Sequence, residues 1–185
     1  TKIKYICLKN FNTMKKTFYI LTILIALISC SNNDELSESK NLKGKWEITK
    51  YEVKDGVRKS IANGIITSQS TFNSYAKNIN ATYNFTTSPN ELITSIATYT
   101  EVVTIEENGS SFQREIPAQI EEESFTWKLI GDILNVKNSN KDIDTKITFV
   151  SENEIVILLD ESFSLGNDTN RIEVSSKKYT TLKKI

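Results

Sequence analysis

The chain has 185 residues, with 23 Lys+Arg against 23 Asp+Glu, two cysteines and no histidine. Without an imidazole there is neither the commonest proton shuttle near neutral pH nor the commonest metal ligand, which excludes Ser-His-Asp and Cys-His triads and the usual zinc sites. The balanced charge hides an asymmetry. The first 29 residues hold five lysines (Lys2, Lys4, Lys9, Lys15, Lys16) and no acid, which leaves 18 basic and 23 acidic residues after them, a net charge near −5. That remainder lacks the basic face that phosphate binding needs, which argues against nucleic acid as a partner.

Met14, Lys15 and Lys16 precede an uncharged run from Thr17 to Ser29 that ends at Cys30. A positive segment, an apolar segment and a small residue before a boundary form the secretory signal pattern. The run is short of the ~20 residues that span a bilayer as a helix. "LISC" (Leu27, Ile28, Ser29, Cys30) resembles the lipobox of bacterial lipoproteins, in which the cysteine becomes the lipidated first residue of the mature chain. Each acyl methylene buried in a bilayer contributes about 0.8 kcal/mol, so several chains hold a soluble domain at the membrane. An ordinary signal peptide that merely contains a cysteine is the alternative. Residues 1–13 read as a start-site overcall, 14–29 as the lipoprotein signal peptide, and 30–41 ("SNNDELSESKN" after the cysteine) as a flexible, polar tether. The acids Asp34 and Glu35 also resemble the surface-export signals of Bacteroidetes lipoproteins. With Cys30 as the mature chain's sole cysteine, no intramolecular disulfide forms and stability has to come from burial.

From Leu42 the pattern turns strand-like. In "GKWEITKYEVKDG" Trp46 and Ile48 share one face, the phase slips at Lys50, and Tyr51 and Val53 take over the apolar role, as at a bulge. Asp55-Gly56 reads as a hairpin turn into "VRKSI". Phe72, Tyr75, Ala76 and Ile79 fall at helical spacing, so Ser68–Ile79 is expected to be a short helix or structured loop. "ATYNFTT" is a strand, and "ELITSIATYTEVVTIEE" one long strand. Asn108-Gly109, Gly131-Asp132 and Glu152-Asn153 mark hairpins, and Pro117 sits where an edge strand tolerates it. "NRIEVSSKKYTTLKK" closes the chain. About eight to ten short antiparallel strands with regular turn signals make an all-β barrel or sandwich.

"LKGKWEI" (Leu42–Ile48) resembles the G-x-W motif that opens the first strand of lipocalins. The later "FTWKLIGDILNV", "KITFVSENEIVILL" and terminal "YTTLKK" look like the small lipocalin-like lipoproteins of Bacteroidetes. The resemblance spans residues 42–184. It implies an up-and-down antiparallel β-barrel over residues 42–185, with Gly44 and Trp46 as the structural plug of its closed end. The arginine context and disulfide of true lipocalins are missing.

An eight-stranded barrel is just wide enough to be filled by side chains or to hold one small ligand. Tyr83, Phe85, Tyr99, Phe112, Trp127 and Phe149 are candidates to line such a cavity or to pack the core, and Arg114 to meet a ligand carboxylate or pair with an acid. "NSNKDID" (Asn138–Asp144) offers oxygens at alternate positions, but it lacks the glycine and the glutamate of a calcium loop and reads as a solvated turn. Glu121 and Glu123 share a strand face at the spacing of a carboxylate pair, with a solvated turn as the competing reading. The expectation is a monomeric, non-enzymatic lipoprotein without cofactor or metal, anchored in the outer membrane on its periplasmic or surface side. It would bind a small apolar or amphipathic ligand. The alternative is an envelope interaction protein with a filled barrel.

Overall fold

A computed structural model describes residues 42–185 of the chain. The start-site segment, signal peptide, Cys30 and tether inferred above lie outside the described residues. Eleven strands form one antiparallel sheet: β1 (Gly44–Ala62), β2 (Ile65–Lys77), β3 (Thr82–Thr87), β4 (Asn90–Thr94), β5 (Ala97–Glu107), β6 (Ser110–Ile120), β7 (Ser124–Ile130), β8 (Ile133–Lys137), β9 (Asp142–Ser151), β10 (Glu154–Gly166) and β11 (Asn170–Lys184). The spatial order is β11-β10-β9-β8-β7-β4-β3-β1-β2-β5-β6, and β11 also pairs with β1. That last pairing closes β1, β3, β4, β7, β8, β9, β10 and β11 into an eight-stranded barrel. With β2, β5 and β6 set aside, each barrel strand neighbours the next in sequence. This is an up-and-down barrel, consistent with the lipocalin-like architecture.

The barrel is built by alternation. In β7, Phe125, Trp127 and Leu129 point inward and are buried while their neighbours are exposed. At the closed end Trp46 is fully buried, and its indole N–H donates to the Leu42 carbonyl at 2.7 Å. Gly44 lies beside it with φ 129°, a conformation only glycine adopts readily, and the Lys184 side chain passes 3.0 Å from where a Cβ would sit. Above this plug, Phe85 and Trp127 meet edge to face at 5.8 Å, and the Trp127 N–H donates to the Thr86 carbonyl at 3.0 Å. Ile48, Leu129, Leu134, Ile147, Ile155 and Leu182 fill the rest. Each such side chain contributes about 1.5–3 kcal/mol on leaving water.

β1 forks. Its first residues, Gly44–Glu47, pair with β3, but from Glu52 onward its neighbour is β2. The register against β11 slips between Ile48 and Lys50, at the phase change visible in the sequence. Beyond the fork the long ends of β1, β10 and β11 continue past the barrel and combine with β2, β5 and β6 into an extension of the sheet. Directly paired residues share a sheet face. Phe72, Ile105 and Phe112 are therefore aligned, as are Val174 with Phe163 and Ile172 with Leu165. This apolar face continues the barrel interior, and Phe163, Leu165, Phe112 and Ile116 remain exposed on it. The opposite face carries Thr71, Asn73, Gln113, Glu115 and Lys177.

Three expectations are corrected. Ser68–Ile79 is not helical: its residues through Lys77 belong to β2. Phe72 and Ala76 share one face and Tyr75 points to the other, where it is exposed. The unpaired edge of β1 claims this segment, and its Ser, Thr and Asn residues have little helical preference to resist. Asp55-Gly56 is not a hairpin but a bulge inside β1, with register shifts against both β2 and β11. The actual turn is Asn63-Gly64, with φ 51° and 78°. The long strand expected over Glu91–Glu107 is broken at Ser95-Ile96 into β4 and β5. The expected barrel of about eight to ten strands has eight, within a sheet of eleven.

At the bulge a Cβ on Gly56 would lie 2.5 Å from the Phe72 carbonyl oxygen and 2.6 Å from its ring. Gly56→Ala should cost about 1–3 kcal/mol in denaturant unfolding. Adding Phe72→Ala should recover only part of this, because the carbonyl contact remains. Unchanged stability of the single variant would contradict the close approach.

Candidate functional site

Above the packed floor the barrel is hollow. A cavity of about 470 Å³ opens toward the extension. Its lower wall is apolar, with Leu92, Phe125, Leu134, Val136, Ile157 and Leu159, and its rim is polar, with Glu121, Glu123, Lys141 and Lys178. Alternation explains this division along single strands. In β11, Leu182 is buried in the floor, Thr180 faces the cavity and Lys178 reaches the rim.

The rim is held where the chain leaves the barrel and returns. The Thr94 hydroxyl donates to the Glu121 carbonyl at 2.8 Å and accepts from the Glu123 N–H at 2.9 Å. The Thr94 N–H donates to the Glu123 carbonyl at 2.9 Å. This stitch fixes the β6–β7 link across the mouth. Lys141 binds both oxygens of Glu123, at 2.6 and 2.8 Å. Opposite, Lys178 pairs with Glu161 at 2.6 Å. Glu101 accepts a hydrogen bond from the Ser74 hydroxyl at 2.5 Å, and Glu121 one from the Gln119 amide at 3.1 Å.

Three tyrosines stand together here. Tyr51 and Tyr83 line the cavity, and Tyr99 meets Tyr51 edge to face with ring centres 6.0 Å apart. Burial, reinforced by Tyr99 and Glu123, pushes the Tyr83 phenol up to about 12. Tyr51 is also raised, first by burial and then by Tyr99, Glu101 and Glu161. Tyr99 is raised by burial and by Glu101. All three are neutral hydroxyls at physiological pH.

Of the residues singled out in the sequence, Tyr83 lines the cavity and Tyr99 stands at its rim. Phe85 and Trp127 form the buried floor beneath it, and Phe149 packs partly buried against the core. Phe112 and Arg114 are not in the barrel. They sit on β6 in the extension, exposed, with the guanidinium 5.2 Å from the Phe112 ring centre. Arg114 is thus placed away from any ligand in the cavity. Tyr51, Lys141 and Lys178 were not singled out. The phase change at Lys50 was the available sign for Tyr51, whereas nothing local marks the two lysines.

The Asn138–Asp144 loop is satisfied by the protein itself. Asn138 Oδ1 accepts from the backbone of Asn140 and Lys141, both at 2.9 Å, and Asn135 donates to Asp142 and Asp144 at 2.9 and 2.7 Å. Among the described residues no three Asp, Glu, His or Cys side chains are gathered as metal ligands.

No protein-family model, curated protein or solved structure matches this chain.

Between the ordinary tyrosine range near 10 and about 12, the unfolded chain can ionise Tyr83 while the folded chain cannot. Stability is therefore expected to fall as pH rises through this window. Spectrophotometric titration of the folded protein should show a late phenolate step near pH 12 that Tyr83→Phe diminishes, with Tyr51 still titrating late. Absence of that late step would contradict the buried position.

Proposed function

We propose that this protein is a lipid-anchored cell-envelope binding module, without enzymatic activity, for a small apolar or amphipathic ligand. The observation that supports it most is the cavity of about 470 Å³ with an apolar wall, a polar rim and an open mouth. Ligand sites are typically about 300–1,000 Å³, mostly apolar, with a few placed polar groups. A barrel alone does not specify function, so the reading rests on this cavity and its lining. The anchor reading rests on the "LISC" boundary at Cys30. The second reading, an envelope interaction protein working through its outer surface, draws on the exposed apolar residues Phe163, Leu165, Phe112 and Ile116.

Two measurements test the proposal. Mass spectrometry of protein purified from membranes should find diacylglyceryl on Cys30, and an unmodified thiol on a freely soluble protein would overturn the anchor. The neutral fluorophore N-phenyl-1-naphthylamine should bind the mature chain (residues 30–185, with Cys30→Ser to avoid detergent). Leu159→Trp, which fills the cavity from its wall, should weaken that binding by about tenfold or more. Binding unaffected by the bulky substitution would place the fluorophore outside the barrel and favour the second reading.

A further inference from the structure

We propose that the apolar face of the extension is an interface between two copies of this chain, packed sheet against sheet. The inference goes beyond the binding reading and does not depend on it. Past the fork the sheet has six strands, in the order β10-β11-β1-β2-β5-β6. β10 loses its β9 neighbour after Leu158, and among the described residues β6 pairs only with β5, so both edges are open. One face runs unbroken from edge to edge: Arg114 pairs through Val103, Ser74 and Val53 to Lys178 and Leu159. In the next row Phe112, Ile105 and Phe72 lie side by side. On this face Phe112 is 39%, Phe163 42%, Ile116 45% and Leu165 59% exposed, so the described chain leaves it uncovered. Contiguous apolar surface of that kind marks a contact site.

Area and charge select a second copy as the occupant. Six strands about 4.8 Å apart, each contributing about six residues at 3.3 Å, present roughly 600 Å² per copy. Two copies together then bury about 1,200 Å², the size of a stable interface. The face carries opposite charges on its two flanks, Arg114 on β6 and Glu161 on β10. Arg114 has no carboxylate partner among the described residues, and its guanidinium lies 5.2 Å from the Phe112 ring centre. Glu161 binds Lys178 at 2.6 Å and keeps acceptor positions for a second donor. A two-fold axis along the strands lays β6 of one copy over β10 of the other, as in a β-sandwich. Arg114 then approaches Glu161 of the second copy, and Phe112 approaches its Phe163. Arg58 on β1 and Glu107 on β5 share this face and form no ion pair among the described residues. The same rotation brings each toward the other across the axis. A partner of one charge would match one flank and be opposed by the other, whereas a copy of the chain matches both.

The test is analytical ultracentrifugation of the mature chain (residues 30–185, Cys30→Ser) from about 1 to 200 µM. A monomer–dimer equilibrium with a Kd of about 10 µM or tighter is expected. Phe112→Asp and Phe163→Asp should each weaken it at least about tenfold, and Thr71→Asp, on the opposite face, should leave it unchanged. Arg114→Glu, at an exposed position outside the barrel, should weaken it severalfold without disturbing the core, and circular dichroism checks that each variant keeps its fold. A monomer throughout the range overturns the proposal, as does a dimer that survives both phenylalanine substitutions or that Thr71→Asp disrupts equally. Assembly beyond the dimer overturns it too, because a two-fold interface closes. A monomer that sediments with phosphatidylcholine vesicles gives the face to lipid and likewise overturns it.

Discussion

The pairing of β1 with β11 is the constraint on which the rest of the structure depends. It runs from Trp46↔Lys184 to Ala62↔Asn170, joining the two ends of the described chain. Eight strands without it would be an open, twisted sheet with two unpaired edges and one apolar face in water. Closure converts that face into an interior, and only then do Trp46, Phe85, Trp127 and Leu182 surround one another. The pairing also carries the largest loop-closure cost, because it joins the segments farthest apart in the described chain. Burial has to hold it, as no disulfide is available to the mature chain inferred from the sequence.

The same pairing creates the extension. β1 and β11 continue together past the point where β3 ends, so the barrel wall runs on without its full set of neighbours. β2, β5 and β6 complete the sheet there, and the outer edge of β6 is blunted by Pro117 and the charged Arg114 and Glu115. The fork at Ile48–Glu52 is thus a joint between two functions of one strand. Below it, β1 supplies the plug; at it, Tyr51 lines the cavity. The Thr94 stitch does the corresponding work on the other side, tying the departing β4 to the returning link before β7.

Much of this was legible because alternation and turn chemistry are local. Phe125, Trp127 and Leu129 announce an inward face, and Asn108-Gly109, with φ 51° and 76°, announces its hairpin. Asp55-Gly56 shows where local reading ends. A residue pair suited to positive φ serves a turn or a bulge equally well, and the choice is made by Lys177 and Ser175, which pair across it from the far end of the chain. Parity has a similar limit. Phe112 and Arg114 do lie on the sheet face continuous with the interior, but parity names a face and not a position along it, and β6 stands beyond the barrel wall. Tyr51 became an inward residue only through the slip at Ile48–Lys50. Lys141 and Lys178 reached the mouth through pairings that no short window contains.

The cavity exists because its two ends solve different problems. At the floor, large side chains from opposite walls meet and exclude solvent, which is what a barrel of this size does when its interior residues are bulky. Toward the mouth the inward positions become Thr94, Thr145 and Thr180, smaller side chains that cannot reach across. Thr145 turns its hydroxyl to the Leu134 carbonyl at 3.1 Å, so the polar atom is satisfied within the wall and only its methyl group faces the space. Wall threonines of this kind keep the interior open without lining it with unsatisfied donors. The polarity that remains is gathered at the rim, in Glu121, Glu123, Lys141 and Lys178. In the proposed binding reading, an apolar chain would be held by the wall and oriented by the rim, so that depth and direction are set by different residues.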